Sequence, residues 1–177
     1  MTAHAAEGTF RFGLMPTISA FNVVDPNGPT ETANAFGYTN AVMLVDMGRD
    51  DRLFSDLFYD RFSLSATTTN IGQDVTRTGG GVSYQTMFRF ARSFKPWMGL
   101  GLGASSEGYK NRYTLSPGGF SIPASPVESS LNNVFVMLNA SAEWQLNKSL
   151  DMGLHLQLEQ PTGDGTRILR FGLYIVY

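Results

Sequence analysis

Apolar and polar residues alternate along most of this chain with a period of two, the signature of strands with one apolar face. The stretch at residues 131–146 is the cleanest case. Val134, Val136, Leu138, Ala140, Ala142, Trp144 and Leu146 fall on one face, and Asn133, Phe135, Met137, Asn139, Ser141, Glu143 and Gln145 on the other. Residues 150–159 repeat the pattern, with Leu150, Met152, Leu154, Leu156 and Leu158 against Asp151, Gly153, His155, Gln157 and Glu159. Residues 166–177 set Leu169, Phe171, Leu173, Ile175 and Tyr177 against Ile168, Arg170, Gly172, Tyr174 and Val176.

Further strands are predicted upstream. The first covers residues 9–24, with Phe10, Phe12, Leu14, Ile18 and Ala20 on one face and Arg11, Gly13, Met15, Thr17 and Ser19 on the other. Pro16 marks an irregularity, because proline cannot donate to a ladder. The second covers residues 35–47, with Phe36, Tyr38, Val42 and Leu44 expected on the outer face. Residues 76–91 set Val82, Tyr84, Phe88 and Phe90 against Gly81, Ser83, Gln85 and Arg89. From Pro96 to Tyr109, Met98, Leu100, Leu102 and Ala104 oppose Gly99, Gly101 and Gly103, a glycine face that leaves room for long side chains from across a narrow lumen.

Residues 52–62 break the alternation, since Leu53, Phe54, Leu57, Phe58 and Phe62 fit a helical template better. A strand over residues 53–69 is the expectation because it makes the count even; a short helix capped by Asp50 or Asp51 is the alternative. Eight strands result, joined by connections that alternate long and short, with residues 110–130 the longest. The strands exceed the 9–11 residues or so that cross a bilayer when tilted, and closing the sheet removes edges that lipid cannot satisfy.

The last strand carries a second pattern. Arg170, Gly172, Ile175 and the aromatic C-terminus Tyr177 resemble the terminal signal that the barrel-assembly machinery reads in bacterial outer-membrane proteins. With the strand count, this resembles the small eight-stranded barrels of the OmpA, OmpX and OmpW type. The resemblance implies an all-β, antiparallel, up-and-down transmembrane barrel over residues 9–177 in the outer membrane of a Gram-negative cell envelope. It also implies lipopolysaccharide and other outer-membrane lipid as surroundings, short periplasmic turns and longer external loops. Residues 1–8, with Ala3-His4-Ala5 before Ala6-Glu7, are read as a flexible tail left by a removed signal peptide. No peptidoglycan-binding domain is expected after the barrel.

Composition narrows the function. Charged residues make up 16% of the 177, below the soluble norm of about 25%. The longest apolar runs fall well short of a membrane-spanning helix. A net charge of −2 argues against a nucleic-acid partner, and the lack of cysteine removes thiolate metal sites and disulfides. No Walker loop, G-x-S-x-G or H-E-x-x-H occurs, so no cofactor, metal site or catalytic centre is expected. A lipid-modifying barrel enzyme is the remaining catalytic alternative. His155-Leu156-Gln157 lacks the serine of the His-x-Ser motif found in lipid A deacylases.

If the apolar face points to lipid, the lumen collects Arg11, Arg89, Glu143, Asp151, His155, Glu159 and Arg170. The expectation is a salt-bridged polar plug, with Arg170 against Glu159 or His155 on the adjacent strand and Arg11 brought near by closure. Aromatics near strand ends (Tyr38, Tyr84, Phe90, Trp97, Trp144 and Tyr177) are expected in the interfacial girdles. Tyr109, Lys110, Asn111, Arg112 and Tyr113 open the longest loop and are candidates for binding an envelope partner. Three functions stay open: a structural or binding barrel acting through its loops or as a subunit of an envelope assembly, a narrow solute channel, and a soluble lipocalin-like barrel with the apolar face inward.

Overall fold

A computed structural model describes residues 9–23, 31–64, 73–89, 96–111, 113–115, 121–123, 128–163 and 165–177. Residues 1–8 and Arg112, and with them the reading of a processed tail, lie outside the described residues. Ten strands are present among them: β1 (Phe10–Val23), β2 (Glu31–Asp46), β3 (Asp51–Leu64), β4 (Gln73–Met87), β5 (Trp97–Asn111), β6 (Tyr113–Leu115), β7 (Ser121–Pro123), β8 (Glu128–Asn147), β9 (Leu150–Pro161) and β10 (Arg167–Val176). Eight of these form one closed barrel in the order β1-β10-β9-β8-β5-β4-β3-β2. Every neighbouring pair is antiparallel. The remaining pair, β6–β7, is a small hairpin inside the segment expected to be the longest loop. No described helix is long and apolar enough to cross a membrane.

The sequence at 52–62 resolves as strand. β3 pairs with β4 over fourteen consecutive positions without a register slip. Its helix-like apolar spacing arises because both faces carry large apolar groups. Leu53, Leu57 and Tyr59 face out, and Phe54, Phe58 and Phe62 face in.

The outer surface is a belt of Leu, Ile, Val and Phe. Leu100 and Leu102 on β5, Leu138 on β8 and Leu158 on β9 are each half or more exposed. Soluble monomers rarely expose large apolar groups so widely, and such a surface marks contact with a membrane or a partner. Along β10 exposed and buried residues alternate without a break. Tyr84, Trp144 and Tyr177 stand outward near the end of the barrel that carries the short turns, as girdle residues would. Trp97 does not: it is buried inside, under the Arg52 guanidinium.

One expected face is inverted. Val42 and Leu44 of β2 are buried in the lumen, and Ala41, Met43, Val45 and Met47 face out. The cause is a register shift in the β1–β2 ladder. Between Met15↔Asn40 and Thr17↔Gly37, β1 spends one residue, Pro16, where β2 spends two, Tyr38 and Thr39. An extra residue reverses the phase beyond it, so a single alternation cannot run through Phe36 and Leu44. The side chains of Phe36, Tyr38 and Phe90 lie outside the described set.

Candidate functional site: the filled lumen

The lumen is packed with side chains arranged in layers. Nearest the short-turn end, the Arg11 guanidinium of β1 bonds Asp151 of β9 at 2.8 Å and Asp46 of β2 at 3.0 Å, with Glu143 of β8 at 3.6 Å. Above it Arg52 of β3 donates to Glu143 at 2.7 Å, Gln85 at 2.7 Å and Ser141 at 3.1 Å. The Arg52 guanidinium carbon lies 4.1 Å from the centroid of Trp97. The Tyr174 hydroxyl donates to Glu143 at 2.8 Å, and Asn139 links Gln85 to Ser83.

A second charged cluster fills the middle. Arg170 of β10 reaches Asp60 at 2.8 Å and Asp56 at 3.3 Å on β3, and Glu159 at 2.9 Å on adjacent β9. Arg77 of β4 bonds Glu159 at 2.6 Å and lies 3.5 Å from both Asp60 and Glu107. Phe58 sits beneath both cations, 4.2 Å from Arg77 and 4.4 Å from Arg170. Below this cluster, His155 stacks on Phe54 at 4.3 Å and shares a 3.0 Å hydrogen bond with Gln157. Toward the loop end, Glu107 accepts hydrogen bonds from Thr166 and Tyr109, and Phe21, Phe62, Val75, Tyr109 and Ile168 cluster above the charges.

Glycines create the room. A Cβ on Gly103 would run into the Phe135 ring, one on Gly153 into Tyr174, and one on Gly81 into Met137. The room over the glycine row of β5 is taken by the adjacent strands, Gln85 and Ser83 of β4 beside Gly99 and Gly101 and Phe135 of β8 beside Gly103, and not by side chains from across the lumen as its spacing suggests.

The expected lumen residues sort unevenly. Glu143, Asp151, His155, Glu159 and Arg170 all point inward, and the Arg170–Glu159 pair forms between adjacent strands. Arg11 also points inward but joins the lower cluster instead of that pair. Arg89 is misassigned. β4 ends at Met87, and Arg89 is exposed at the short-turn end, 2.6 Å from Asp50. The loop candidates divide as well. Tyr109 belongs to β5 and is buried, because its ring closes the apolar layer over Glu107. Lys110 is exposed at the end of the same strand, and Tyr113 starts the β6–β7 hairpin.

Sequence reading missed Arg52, Arg77, Asp46, Asp56, Asp60 and Glu107. Asp56 and Asp60 share the i, i+2 parity of Arg52, Phe54, Phe58 and Phe62 on β3, so a strand reading of that stretch puts all of them on one face. In the terminal strand, Arg170 and Gly172 face the lumen, while Ile175 and Tyr177 face outward. Tyr177 also ties its backbone to Phe12 of β1 in both directions, at 3.0 and 3.1 Å.

No protein-family model and no curated protein matches this sequence. Solved structures do match its fold. Neisserial surface protein A superposes with a TM-score of 0.63 at 12% identity, over 93% of this chain and 95% of its own. The attachment invasion locus protein Ail of Yersinia pestis gives 0.56 at 12% identity, over 97% and 99%. The outer-membrane protein OprG of Pseudomonas aeruginosa gives 0.55 at 10% identity, over 96% and 93%. This chain has the fold of the small eight-stranded outer-membrane barrels. Ail has also been solved with a heparin analogue, sucrose octasulfate.

Proposed function

We propose that the chain is an integral outer-membrane barrel, closed to ion flow, that acts as a rigid scaffold for its external loops or as a subunit of an envelope assembly. The observation that carries this is the pairing of an apolar belt outside with a lumen of cross-linked side chains inside. Each buried guanidinium joins at least three strands: Arg11 ties β1 to β2, β8 and β9, and Arg170 ties β10 to β3 and β9. An eight-stranded barrel is just wide enough for side chains to fill. Removing water from these charges costs several kcal/mol per ion unless each is paired, so an intact network also excludes a water file. No catalytic step is assigned: His155 is buried against Phe54, away from either end.

Membrane fractionation with a comparison of boiled and unboiled migration tests this reading. Recovery in outer membranes with a faster unboiled band is the expected result. Recovery as a detergent-free soluble protein would sink it and favour the lipocalin-like alternative. Planar-bilayer recording then separates scaffold from channel: the folded protein should show no unitary conductance, and steady openings would make it a channel.

A further inference from the structure

The two charged layers of the lumen differ in how they are balanced. In the lower one, Arg11 and Arg52 meet Asp46, Glu143 and Asp151, and the Asp151 side chain is 25% exposed at the short-turn end. The upper one is sealed. Asp56, Asp60, Glu107, Glu159, Arg77 and Arg170 are each no more than 1% exposed. The aromatic layer of Phe21 and Phe62 covers them on the loop side, and Phe54 and Tyr174 lie on the other. Four carboxyls therefore share two guanidiniums. The other described cations, Arg49, Arg61, Arg89, Lys110, Lys148 and Arg167, are all exposed.

A charge held away from water without a partner costs several kcal/mol, and a carboxyl so placed takes up a proton instead. The geometry distinguishes the four acids. Glu159 bonds both arginines, at 2.6 and 2.9 Å. Asp60 leaves one oxygen unbonded, but its other lies 2.8 Å from Arg170. Glu107 accepts hydrogen bonds from the hydroxyls of Thr166 and Tyr109. Asp56 is the least served. Its Oδ2 stands 3.3 Å from Arg170, and its buried Oδ1 has no hydrogen-bond partner. That Oδ1 is 3.3 Å from where a Cβ on Gly81 would sit, a place already filled by Met137. The groups around Asp56 are Arg170 of β10, Arg77 of β4, and Glu159 and Gln157 of β9. Its nearest cation is thus one that Glu159 and Asp60 hold more closely.

We propose that the upper cluster is a proton-binding site and that the Asp56 carboxyl holds the proton in the folded barrel. The two guanidiniums are then left to Glu159 and Asp60. The one surplus negative charge falls to Glu107, which its hydroxyl donors stabilise. A metal ion is the other way to supply a positive charge, but among the described residues no three acidic or histidine side chains converge as ligands. The inference rests on the sealed-lumen reading above.

Infrared spectroscopy of the folded chain tests it, in micelles of a detergent without ester groups and at neutral pH. The unaltered barrel should show the carbonyl stretch of a neutral carboxylic acid, and carboxyl-labelled carbon-13 aspartate should shift that band. No band overturns the proposal and leaves a metal ion as the compensating charge. A band that the aspartate label does not move places the proton on a glutamate and overturns it too. Asp56→Asn should migrate as a folded barrel and lack the band, because an amide has the shape of the neutral acid. Persistence of the band in that variant, or failure of the variant to fold, would count against Asp56 as the holder. Steady openings of the unaltered chain in a planar bilayer would instead sink the sealed-lumen reading, whereas a silent barrel without the band sinks the proton site alone.

Discussion

At the scale of single residues, this barrel depends on cations that belong to no single strand. Arg170 is fully buried and serves three carboxylates. Removing one partner of a buried ionic network costs about 3–5 kcal/mol, because the others stay desolvated and uncompensated. Arg170→Met is therefore expected to lower unfolding stability by that amount in a denaturant titration from vesicles. Arg89→Met, which removes an exposed ion pair with Asp50, should change stability by no more than about 0.5 kcal/mol. Equal losses in the two variants would refute the assignment of Arg170 to the core of the network. Gly103 makes the complementary point. Gly103→Val should cost about 1–3 kcal/mol by overpacking against Phe135. The double change with Phe135→Ala should cost less than the sum of the two single changes, and strict additivity would argue against the contact.

At the scale of elements, strand phase separates the confident readings from the inverted one. β8, β9 and β10 carry their Leu-rich face outside and Glu143, His155, Glu159 and Arg170 inside, beside Phe135, Met137, Ile168, Tyr174 and Val176, so their two faces were legible from the sequence. β2 and β3 carry large apolar residues on both faces, and their phase depends on what stands opposite. Val42 and Leu44 turn inward because the bulge beside Pro16 resets β2. Phe58 turns inward because two guanidiniums stack on its ring, a contact worth about 2 kcal/mol when desolvated. The terminal element gives a test in cells. Tyr177 is 75% exposed, so its side chain contributes little to packing, although its backbone closes β10 onto β1. Tyr177→Ala is expected to leave denaturant stability within about 0.5 kcal/mol while lowering the amount assembled in outer membranes. Normal assembly of that variant would remove the terminal-signal reading.

At the scale of the whole molecule, the layers act in series. The aromatic lid of Phe21 and Phe62, stacked at 4.3 Å, covers the upper charges, and the Met15–Phe54–Tyr174 cluster separates them from the lower ones. A lone Phe21→Ala should therefore leave the bilayer electrically silent, since the Arg77–Arg170 cluster still fills the lumen beneath it. Measurable conductance in that variant would show that the lid alone holds the pore shut. The amino-acid sequence by itself determined the class of structure. A period of two, an even strand count and alternating loop lengths admit few arrangements other than a closed antiparallel barrel, because backbone groups facing lipid must be paired. It also determined most of the polar face, including Glu143, His155, Glu159 and Arg170. Only the tertiary structure decided which charges meet. Arg52 finds Glu143 and Arg170 finds Asp60 across about ninety and one hundred and ten residues of chain, through closure of the sheet. Sequence periodicity reports on which side of its own strand a residue lies. The partner across the lumen is set by the shear of the barrel and by the slip at Pro16, which no single strand records.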